Sequence, residues 1–319
     1  MSITTLRMKN DGPQRKRLFV PEAMAHPAKG HISLWQEMIG RYSQPGDVVL
    51  DPMAGIGTTL VAALMGRNVV CVELEPHFVA PMRASWEKMK QHPMLGHTLG
   101  HVCIIRGDAR HLPLASADSI ITSPPYEATD LTKPLNGTTQ GNATHKDGLT
   151  RRYSGTRPPQ VDAVVSSPAY ESSAHKPGNL DAMRDKLEEL YPGHVGPNTI
   201  RNATEYGAGD NIGNQKGSAY WESMAQVYAE CWRVLRPGGI MALVLKGFTR
   251  DGAYVDLPQQ TLDLLMAAGW VEPERWRREL WSLSFWRILQ RRRSPETFDN
   301  RLNYETIIAV RKGHTPNVE

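Results

Sequence analysis

Short apolar runs alternate along the chain with segments in which apolar residues recur every three or four positions. The runs DVVLDP, NVVCVEL, HVCIIRGDA and ADSIITSPPY predict buried strands that each end in polar or turn residues. The intervening segments SLWQEMIGRYS, TTLVAALMG and HFVAPMRASWEKMKQ predict helices, and Ser33 is the expected N-cap of the first. Alternating strands and helices indicate an α/β fold with a mainly parallel sheet covered on both faces.

The regular pattern stops after Tyr126 and resumes near Ser218. The intervening residues are rich in Gly, Asn, Thr and Pro, which predicts loops or a small inserted structure. Beyond them, YWESMAQVYAECWRVL and LPQQTLDLLMAAG predict helices on either side of the strand IMALVLK. WVEPERWRREL and NYETIIAVRK predict a closing strand pair and therefore an antiparallel edge strand.

Composition narrows the class of protein. The chain has 319 residues, of which 40% are hydrophobic and 22% charged, as is usual for a globular protein. No apolar run reaches the roughly 18 residues that span a bilayer, and no signal peptide is predicted. Cys71 and Cys103 lie in apolar runs and are predicted to be reduced core thiols, so a cytoplasmic location is expected. No Cys/His cluster has zinc-ligand spacing, and no metal is predicted.

Basic residues are unevenly distributed, although the net charge is only +4. They gather near the C-terminus, interleaved with aromatic side chains, which suits contact with phosphates and bases. A solvated basic face is the alternative interpretation. The candidate nucleic-acid-binding residues are Arg277, Arg278, Trp281, Arg287, Arg291, Arg292 and Arg293.

A glycine-rich turn follows the first predicted strand. Gly55 and Gly57 allow the backbone to approach a ligand, and Glu73 ends the next strand, where a carboxylate can hold the two hydroxyls of a ribose. This spacing predicts an adenosine-containing cofactor. Leu60 stands where an NAD-binding pattern needs its third glycine, and no P-loop Gly-Lys-Ser/Thr follows. Asp108, at the end of the third strand, is either an acceptor for an adenine amino group or a turn cap.

Two motifs together resemble the amino-methylating DNA methyltransferases. DPMAGIGTT resembles the cofactor loop of that family, with Met53 in place of Phe, and TSPPY resembles its catalytic tetrapeptide. HPAKG resembles the segment that precedes the loop. The resemblance implies a Rossmann-like methyltransferase sheet and S-adenosylmethionine as cofactor. It also implies the cofactor-binding residues His26, Lys29, Asp51, Met53, Gly55, Gly57, Thr58, Thr59, Glu73 and Asp108.

The tetrapeptide residue types suit methyl transfer to an exocyclic amine. The Ser123 hydroxyl and the Pro124 carbonyl can accept hydrogen bonds from the amine and stabilise the positive charge that develops on it. Pro125 stiffens the backbone and has no N–H to compete. Tyr126 offers a face on which an extruded base can stack. Ser123, Pro124, Pro125 and Tyr126 are therefore the predicted catalytic residues.

A near copy, Ser167-Pro168-Ala169-Tyr170, lies inside the irregular segment. Ala169 restores backbone freedom, so the first copy is the predicted site. The second copy is a relic of duplication, a pseudo-site that shapes the pocket, or the true site. These alternatives stay open on sequence alone.

The resemblance divides the chain into three parts and suggests a substrate. Residues 1–126 form the cofactor-binding half, 127–217 an irregular insert for target recognition, and 218–319 the second half with a basic aromatic loop. A serine at the first tetrapeptide position resembles the enzymes that methylate cytosine N4 in double-stranded DNA. Adenine N6, guanine N2 of RNA and a non-catalytic nucleic-acid binder are the alternatives. A restriction endonuclease for the same DNA site is a candidate partner, and the oligomeric state stays open.

Overall fold

The computed structural model describes residues 3–25, 29–114, 119–122, 163–166, 211–250, 253–280, 288, 291–292, 295 and 298–313, with the backbone alone for 119–122 and 163–166. The strands are β1 (Thr5–Arg7), β2 (Val48–Asp51), β3 (Asn68–Glu73), β4 (Val102–Arg106), β5 (Ser119–Thr122), β6 (Ala163–Ser166), β7 (Ile240–Leu245), β8 (Phe248–Arg250), β9 (Ala253–Val255), β10 (Val271–Glu279) and β11 (Tyr304–Arg311). The α-helices are α1 (Gly12–Leu18), α2 (Ile32–Tyr42), α3 (Val61–Leu64), α4 (Pro76–Met89), α5 (Ser218–Val234) and α6 (Leu257–Ala267). Short 3-10 helices cover Pro21–Ala25, Thr58–Leu60, Ile212–Asn214 and Asn300–Asn303.

One large sheet organises the described residues. Its strand order is β1-β10-β11-β7-β5-β2-β3-β4, and β6 pairs with both β2 and β7. The pairs β2–β3, β3–β4, β2–β5 and β5–β7 are parallel, whereas β11 is antiparallel to both β7 and β10. The predicted α/β class with a mostly parallel sheet is confirmed. The antiparallel strand β11 lies inside the sheet, because β10 and β1 extend it further.

Alternate residues of the central strands pack into different cores, as expected for strands buried on both faces. Val49 of β2 lies in the core shared with helices α2, α3 and α4. Its neighbour Leu50 lies in the core shared with α5 and α6. Ile307 and Ile308 of β11 divide between the same two cores. Covered on both faces, the sheet leaves its edges and strand ends for loops and ligands.

The N-terminal segment adds elements that the sequence pattern did not predict. Strand β1 extends the sheet by parallel pairing with β10, and α1 follows it. The prediction that Ser33 caps α2 is wrong. The helix begins at Ile32, whose N–H donates to Asp11 Oδ2 at 3.0 Å. Asp11 also pairs with the buried Arg15 at 2.6 Å, so one carboxylate joins α1 to the start of α2.

The cysteine predictions hold in part. Cys71 and Cys231 are buried free thiols, but Cys103 is exposed. Cys103 lies on β4, which is the last of the described strands at its end of the sheet. In the part of the chain that the structure describes, no helix is long and apolar enough to cross a membrane. Within the same residues, no group of His, Cys, Asp or Glu side chains is arranged to hold a metal ion.

Replacing Asp11 by Ala tests how much the N-terminal segment depends on this carboxylate. The change leaves the Arg15 guanidinium buried without its counter-charge and removes the cap of α2. We expect the free energy of unfolding, measured in urea, to fall by about 3 kcal/mol. Asp299→Ala removes the partner of Arg301, whose side chain is 52% exposed, and should cost about 1 kcal/mol or less. Equal losses in the two variants would contradict this role of Asp11.

Candidate active site

The turn after β2 is held by a chain of buried hydrogen bonds. Asp51 ends β2 and is 1% exposed. Its Oδ2 accepts from the Thr59 hydroxyl at 2.5 Å, and Thr59 Oγ1 accepts from Trp35 Nε1–H at 3.1 Å. The other oxygen, Oδ1, accepts from the Met53 N–H at 3.2 Å. Asp51, Met53 and Thr59, all predicted cofactor-binding residues, are therefore joined to one another, and their described contacts shape the loop.

Both predicted glycines adopt backbone conformations that favour glycine. Gly55 has a φ of 54° and Gly57 a φ of 75°. A Cβ atom on Gly57 would lie 2.6 Å from Cγ of Met82 in α4, closer than carbon atoms approach one another. The turn therefore lies against α4 without room for a side chain. Thr58, a further predicted cofactor residue, begins the short helix after Gly57 and is buried.

Glu73, at the end of β3, forms hydrogen bonds with the backbone of this turn. Its Oε2 accepts from the Gly55 N–H at 2.7 Å, and its Oε1 accepts from the Glu75 N–H at 2.8 Å. The residue is 7% exposed. Burial raises the pKa of the Glu73 carboxyl from 4.5 to about 7, although the backbone N–H groups oppose the rise. The carboxylate is thus fixed in place and titrates near neutral pH.

Asp108 lies in a turn after β4, where its carboxylate accepts from the backbone N–H of Arg110 at 2.9 Å. The Arg110 guanidinium also binds it, at 2.6 Å. Burial raises the pKa of Asp108, but the hydrogen bonds and charge of Arg110 outweigh it and hold that pKa below its usual value. These contacts support the turn-cap interpretation.

Asp108 also lines an open polar groove of about 410 Å³, together with Arg110, His111, Gln215, Ala219, Glu222, Ser223 and Gln226.

The end of the predicted insert contacts the cofactor side of the sheet, which the sequence did not reveal. Asn211 is buried and donates from Nδ2 to Glu75 Oε1 at 2.6 Å. Its own Oδ1 accepts from the Gly213 N–H at 2.8 Å. The segment DNIGN contains an asparagine typical of such caps, but its partner lies 136 residues earlier in the chain. Asn211 therefore ties residues 211–214 to the strand end that carries Glu73.

The segment before α2 packs beside the loop. A Cβ atom on Gly30 would lie 2.5 Å from the Trp35 ring, the same ring that donates to Thr59. The Gly30 carbonyl accepts from Arg15. Lys29, a predicted cofactor residue, is half-buried, and burial together with the charge of Arg15 lowers its pKa. His26 lies outside the described residues.

The predicted catalytic residues themselves also lie outside the described part of the chain, but the strands before them are described. Ser123, Pro124, Pro125 and Tyr126 follow directly after β5, and Ser167–Tyr170 follow directly after β6. Val49 of β2 is in parallel register with Ser119 of β5. Parallel strands end at the same edge of a sheet, so β5 ends on the edge that carries the glycine turn.

The predicted nucleic-acid-binding residues separate into different environments. Arg278, on β10, is 6% exposed and pairs with Glu305 at 2.7 Å, so its burial argues against a nucleic-acid contact. Arg277, also on β10, lies over the Tyr304 ring, 5.6 Å from its centroid. Arg291 and Arg292 are exposed. Trp281, Arg287 and Arg293 lie outside the described residues.

Comparison with known proteins shows that the N-terminal part of the chain is similar to a family of methyltransferases. Residues 4–83 match the sequence profile of the N6/N4 methyltransferase family, described as DNA methylase. The chain is also 37% identical over 70 residues to the Type II methyltransferase M.HinfI of Haemophilus influenzae. That match covers 22% of this chain and about a fifth of the length of the relative.

Solved structures show weaker likeness. A methyltransferase from Methanosarcina mazei, described as dependent on S-adenosylmethionine, is 13% identical with a TM-score of 0.42, over 87% of this chain and 97% of its own. TrmN from Thermus thermophilus is 15% identical with a TM-score of 0.44, over 93% of this chain and 52% of its own. Nothing about the site follows from either likeness.

The family match and the site coincide. The matched residues 4–83 include the turn after β2, the Trp35–Thr59–Asp51 hydrogen bonds and Glu73. The similarity to the amino-methylating DNA methylases is therefore found in the part of the chain that carries the turn after β2 and Glu73.

Proposed function

We propose that this protein transfers a methyl group from S-adenosylmethionine to an exocyclic amine of a flipped base in DNA, with cytosine N4 as the acceptor. The observation that carries the proposal is the parallel pairing of β2 and β5, in which Val49 is level with Ser119. Neighbouring strands lie about 4.8 Å apart, so the end of β5 at Thr122 lies beside the turn that leaves β2.

The Glu73 carboxylate suits the ribose of the cofactor. A carboxylate has about four acceptor sites, and the N–H groups of Gly55 and Glu75 occupy one on each oxygen. The remaining two suit the two neighbouring hydroxyls of a ribose. Gly57 adds a backbone surface without a side chain next to this carboxylate. The described residues thus fit an adenosine-containing cofactor.

The catalytic roles fall on the residues that follow β5. When bound, the cofactor supplies an electrophilic methyl group on a sulfonium sulfur. The Ser123 hydroxyl oxygen and the Pro124 carbonyl accept hydrogen bonds from the amine, which hold its lone pair toward the cofactor and stabilise the charge that develops on nitrogen. Tyr126 stacks on the extruded base. Holding donor and acceptor in this geometry contributes much of the rate, and no covalent enzyme intermediate is needed.

The choice of base rests on Ser123. The family resemblance associates serine at this position with N4-cytosine enzymes, and aspartate or asparagine with adenine N6 or with guanine N2 of RNA. The family profile that residues 4–83 match is described as DNA methylase, which supports DNA as the substrate. A cognate restriction endonuclease is part of the same proposal. Incubation with labelled cofactor and either mixed-sequence DNA or tRNA, followed by nucleoside analysis, identifies the methylated base directly.

Cofactor affinity is expected to depend on pH through Glu73. The charged carboxylate accepts both ribose hydroxyls, whereas its protonated form loses one acceptor site. With a pKa of about 7, affinity for S-adenosylhomocysteine should rise by up to about tenfold from pH 6 to pH 8, as measured by calorimetry, and the full tenfold corresponds to binding by the charged form alone. Glu73→Gln should bind weakly with a flat pH profile. The same pH dependence in Glu73→Gln would assign the effect to another group.

Loss of the first tetrapeptide serine should remove most of the methyl transfer. Ser123→Ala deletes an acceptor for the amine, and we expect the rate to fall about 100-fold with cofactor binding unchanged. Ser167→Ala should keep at least half of the rate, and Tyr126→Phe, which keeps the aromatic face, should remain active. A Ser167→Ala variant that loses more than Ser123→Ala would move the catalytic role to the second tetrapeptide.

The exposed arginines should contribute phosphate contacts. Replacing Arg291 and Arg292 by Ala should reduce the slope of log affinity against log salt concentration by about 1.8, or about 0.9 for each lost contact. Arg83→Ala, on the exposed face of α4, is the matched control and should leave the slope unchanged. Duplex binding can be measured by fluorescence anisotropy between 50 and 200 mM salt. An unchanged slope in the double variant would exclude these arginines from the DNA interface.

A further inference from the structure

The side chain of Asn211 makes two hydrogen bonds, one with its oxygen and one with its nitrogen. The Oδ1 atom accepts from the Gly213 N–H at 2.8 Å and caps the short helix Ile212–Asn214. The Nδ2 atom donates to Glu75 Oε1 at 2.6 Å. A serine or an aspartate could cap this helix as well as an asparagine, because each carries an acceptor oxygen. The nitrogen is therefore explained by Glu75 and not by the helix.

Glu75 connects this nitrogen to Glu73. The Glu75 N–H donates to Glu73 Oε1 at 2.8 Å, and both residues are buried, with 8% of Glu75 and 7% of Glu73 exposed. Burial is the main cause of the raised pKa of Glu73, and the charge of Glu75 adds to it. A buried carboxylate needs polar partners, and Asn211 supplies one of them to Glu75. A change at Asn211 therefore reaches Glu73 through a single residue.

The backbone at Asn211 is anchored independently of its side chain. Ile212 is 4% exposed and lies in the same core as Leu50 of β2 and Val72 of β3. The Asn214 N–H also donates to the Asn211 carbonyl at 2.8 Å. Because these contacts do not involve the Asn211 amide group, a shorter side chain removes the donor to Glu75 and leaves the anchor in place.

We propose that Asn211 is a positioning residue for the cofactor site, which holds Glu75 and, through its backbone N–H, the Glu73 carboxylate in the orientation that receives the ribose. The inference rests on the proposed contact between Glu73 and the ribose. Loss of the Nδ2 donor leaves Glu75 Oε1 without this partner at a buried position, and we expect the Glu75 side chain to turn toward water. The Glu75 N–H then no longer fixes Glu73. Because coupling between two sites is reciprocal, bound cofactor must also strengthen the contact between Asn211 and Glu75.

Alanine substitution tests this role. Asn211→Ala should weaken binding of S-adenosylhomocysteine about tenfold in calorimetry. Asn68→Ala is the matched control, because Asn68 begins β3 and lies about 17 Å from Glu73 at its other end. The Asn68 side chain also makes two hydrogen bonds, accepting from the His101 N–H and donating to the Gly46 carbonyl, each at 3.0 Å. The control should bind within about twofold of the wild type. Equal losses of affinity in the two variants would overturn the inference.

Exchange of donor and acceptor separates positioning from packing. Asn211→Asp keeps an acceptor for the Gly213 N–H but places a carboxylate against that of Glu75, so affinity should fall at least as far as in the alanine variant. Addition of Glu75→Gln reverses the hydrogen bond, because the new amide can donate to the new carboxylate. The double variant should recover affinity to within about threefold of the wild type. A double variant that binds no better than Asn211→Asp would overturn the role of this contact.

The Glu73→Gln background tests whether Asn211 acts through Glu73. There, Asn211→Ala should cost less than about twofold in affinity, because the carboxylate that Asn211 positions is already absent. A full tenfold loss would overturn the inference. In the wild type, saturating S-adenosylhomocysteine should slow amide hydrogen exchange at Gly213 and Asn214 by up to about tenfold and leave that of His101 unchanged. Unchanged exchange at Gly213 and Asn214 would contradict the coupling.

Methyl transfer separates this inference from the proposed function. The expected pattern of affinities without methyl transfer to any DNA would uphold the positioning role of Asn211 and refute the proposed function alone. Methyl transfer to DNA with equal affinities in Asn211→Ala and Asn68→Ala would do the reverse. An affinity that Glu73→Gln does not change would refute the ribose contact and the positioning role together.

Discussion

The active-site side of the sheet depends on the buried carboxylate of Asp51. A carboxylate that is 1% exposed must have its lone pairs satisfied within the protein, and its contacts with Thr59 and with the Met53 N–H fix both ends of the turn. The Trp35 indole N–H, donating to Thr59, ties the same turn to α2. With the turn fixed, the Gly55 N–H lies on Glu73. The turn after β2 and the Glu73 carboxylate are therefore positioned by one hydrogen-bond network.

Burying the Glu73 carboxylate lowers the stability of the folded protein at neutral pH. A carboxyl whose pKa is about 7 when folded and about 4.5 when unfolded binds more protons in the folded state between those values. The stabilisation this gives is fully present below pH 4.5 and is lost as pH rises to 7, amounting to about 3 kcal/mol. An apolar side chain would avoid the loss. The proposed contact with a ribose accounts for a carboxyl at this position, and the backbone donors of Gly55 and Glu75 reduce the cost of burying it.

Local patterns predicted most of the sheet and the helices that cover it. The apolar runs of β2, β3 and β7 predicted these strands correctly, because both faces of each strand are buried and the residues are therefore almost all apolar. Interactions between distant residues could not be predicted in this way. Asp11 caps α2 from 21 residues away, and Glu305 neutralises Arg278, which had seemed a surface arginine from its neighbours in sequence. Strand β1 is three residues long and gains its stability from pairing with β10, which no local pattern signals.

The segment that begins at Asn211 is coupled to Glu73 through Glu75. The Glu75 N–H donates to Glu73, and the Glu75 side chain accepts from Asn211, so two hydrogen bonds connect this segment to the Glu73 carboxylate. All three residues are buried, where hydrogen bonds are stronger and unpaired groups are costly. A displacement of Asn211 would therefore leave the Glu75 side chain without this donor. Asn211 and Glu75 are therefore parts of one structural unit, although 136 residues separate them in the sequence.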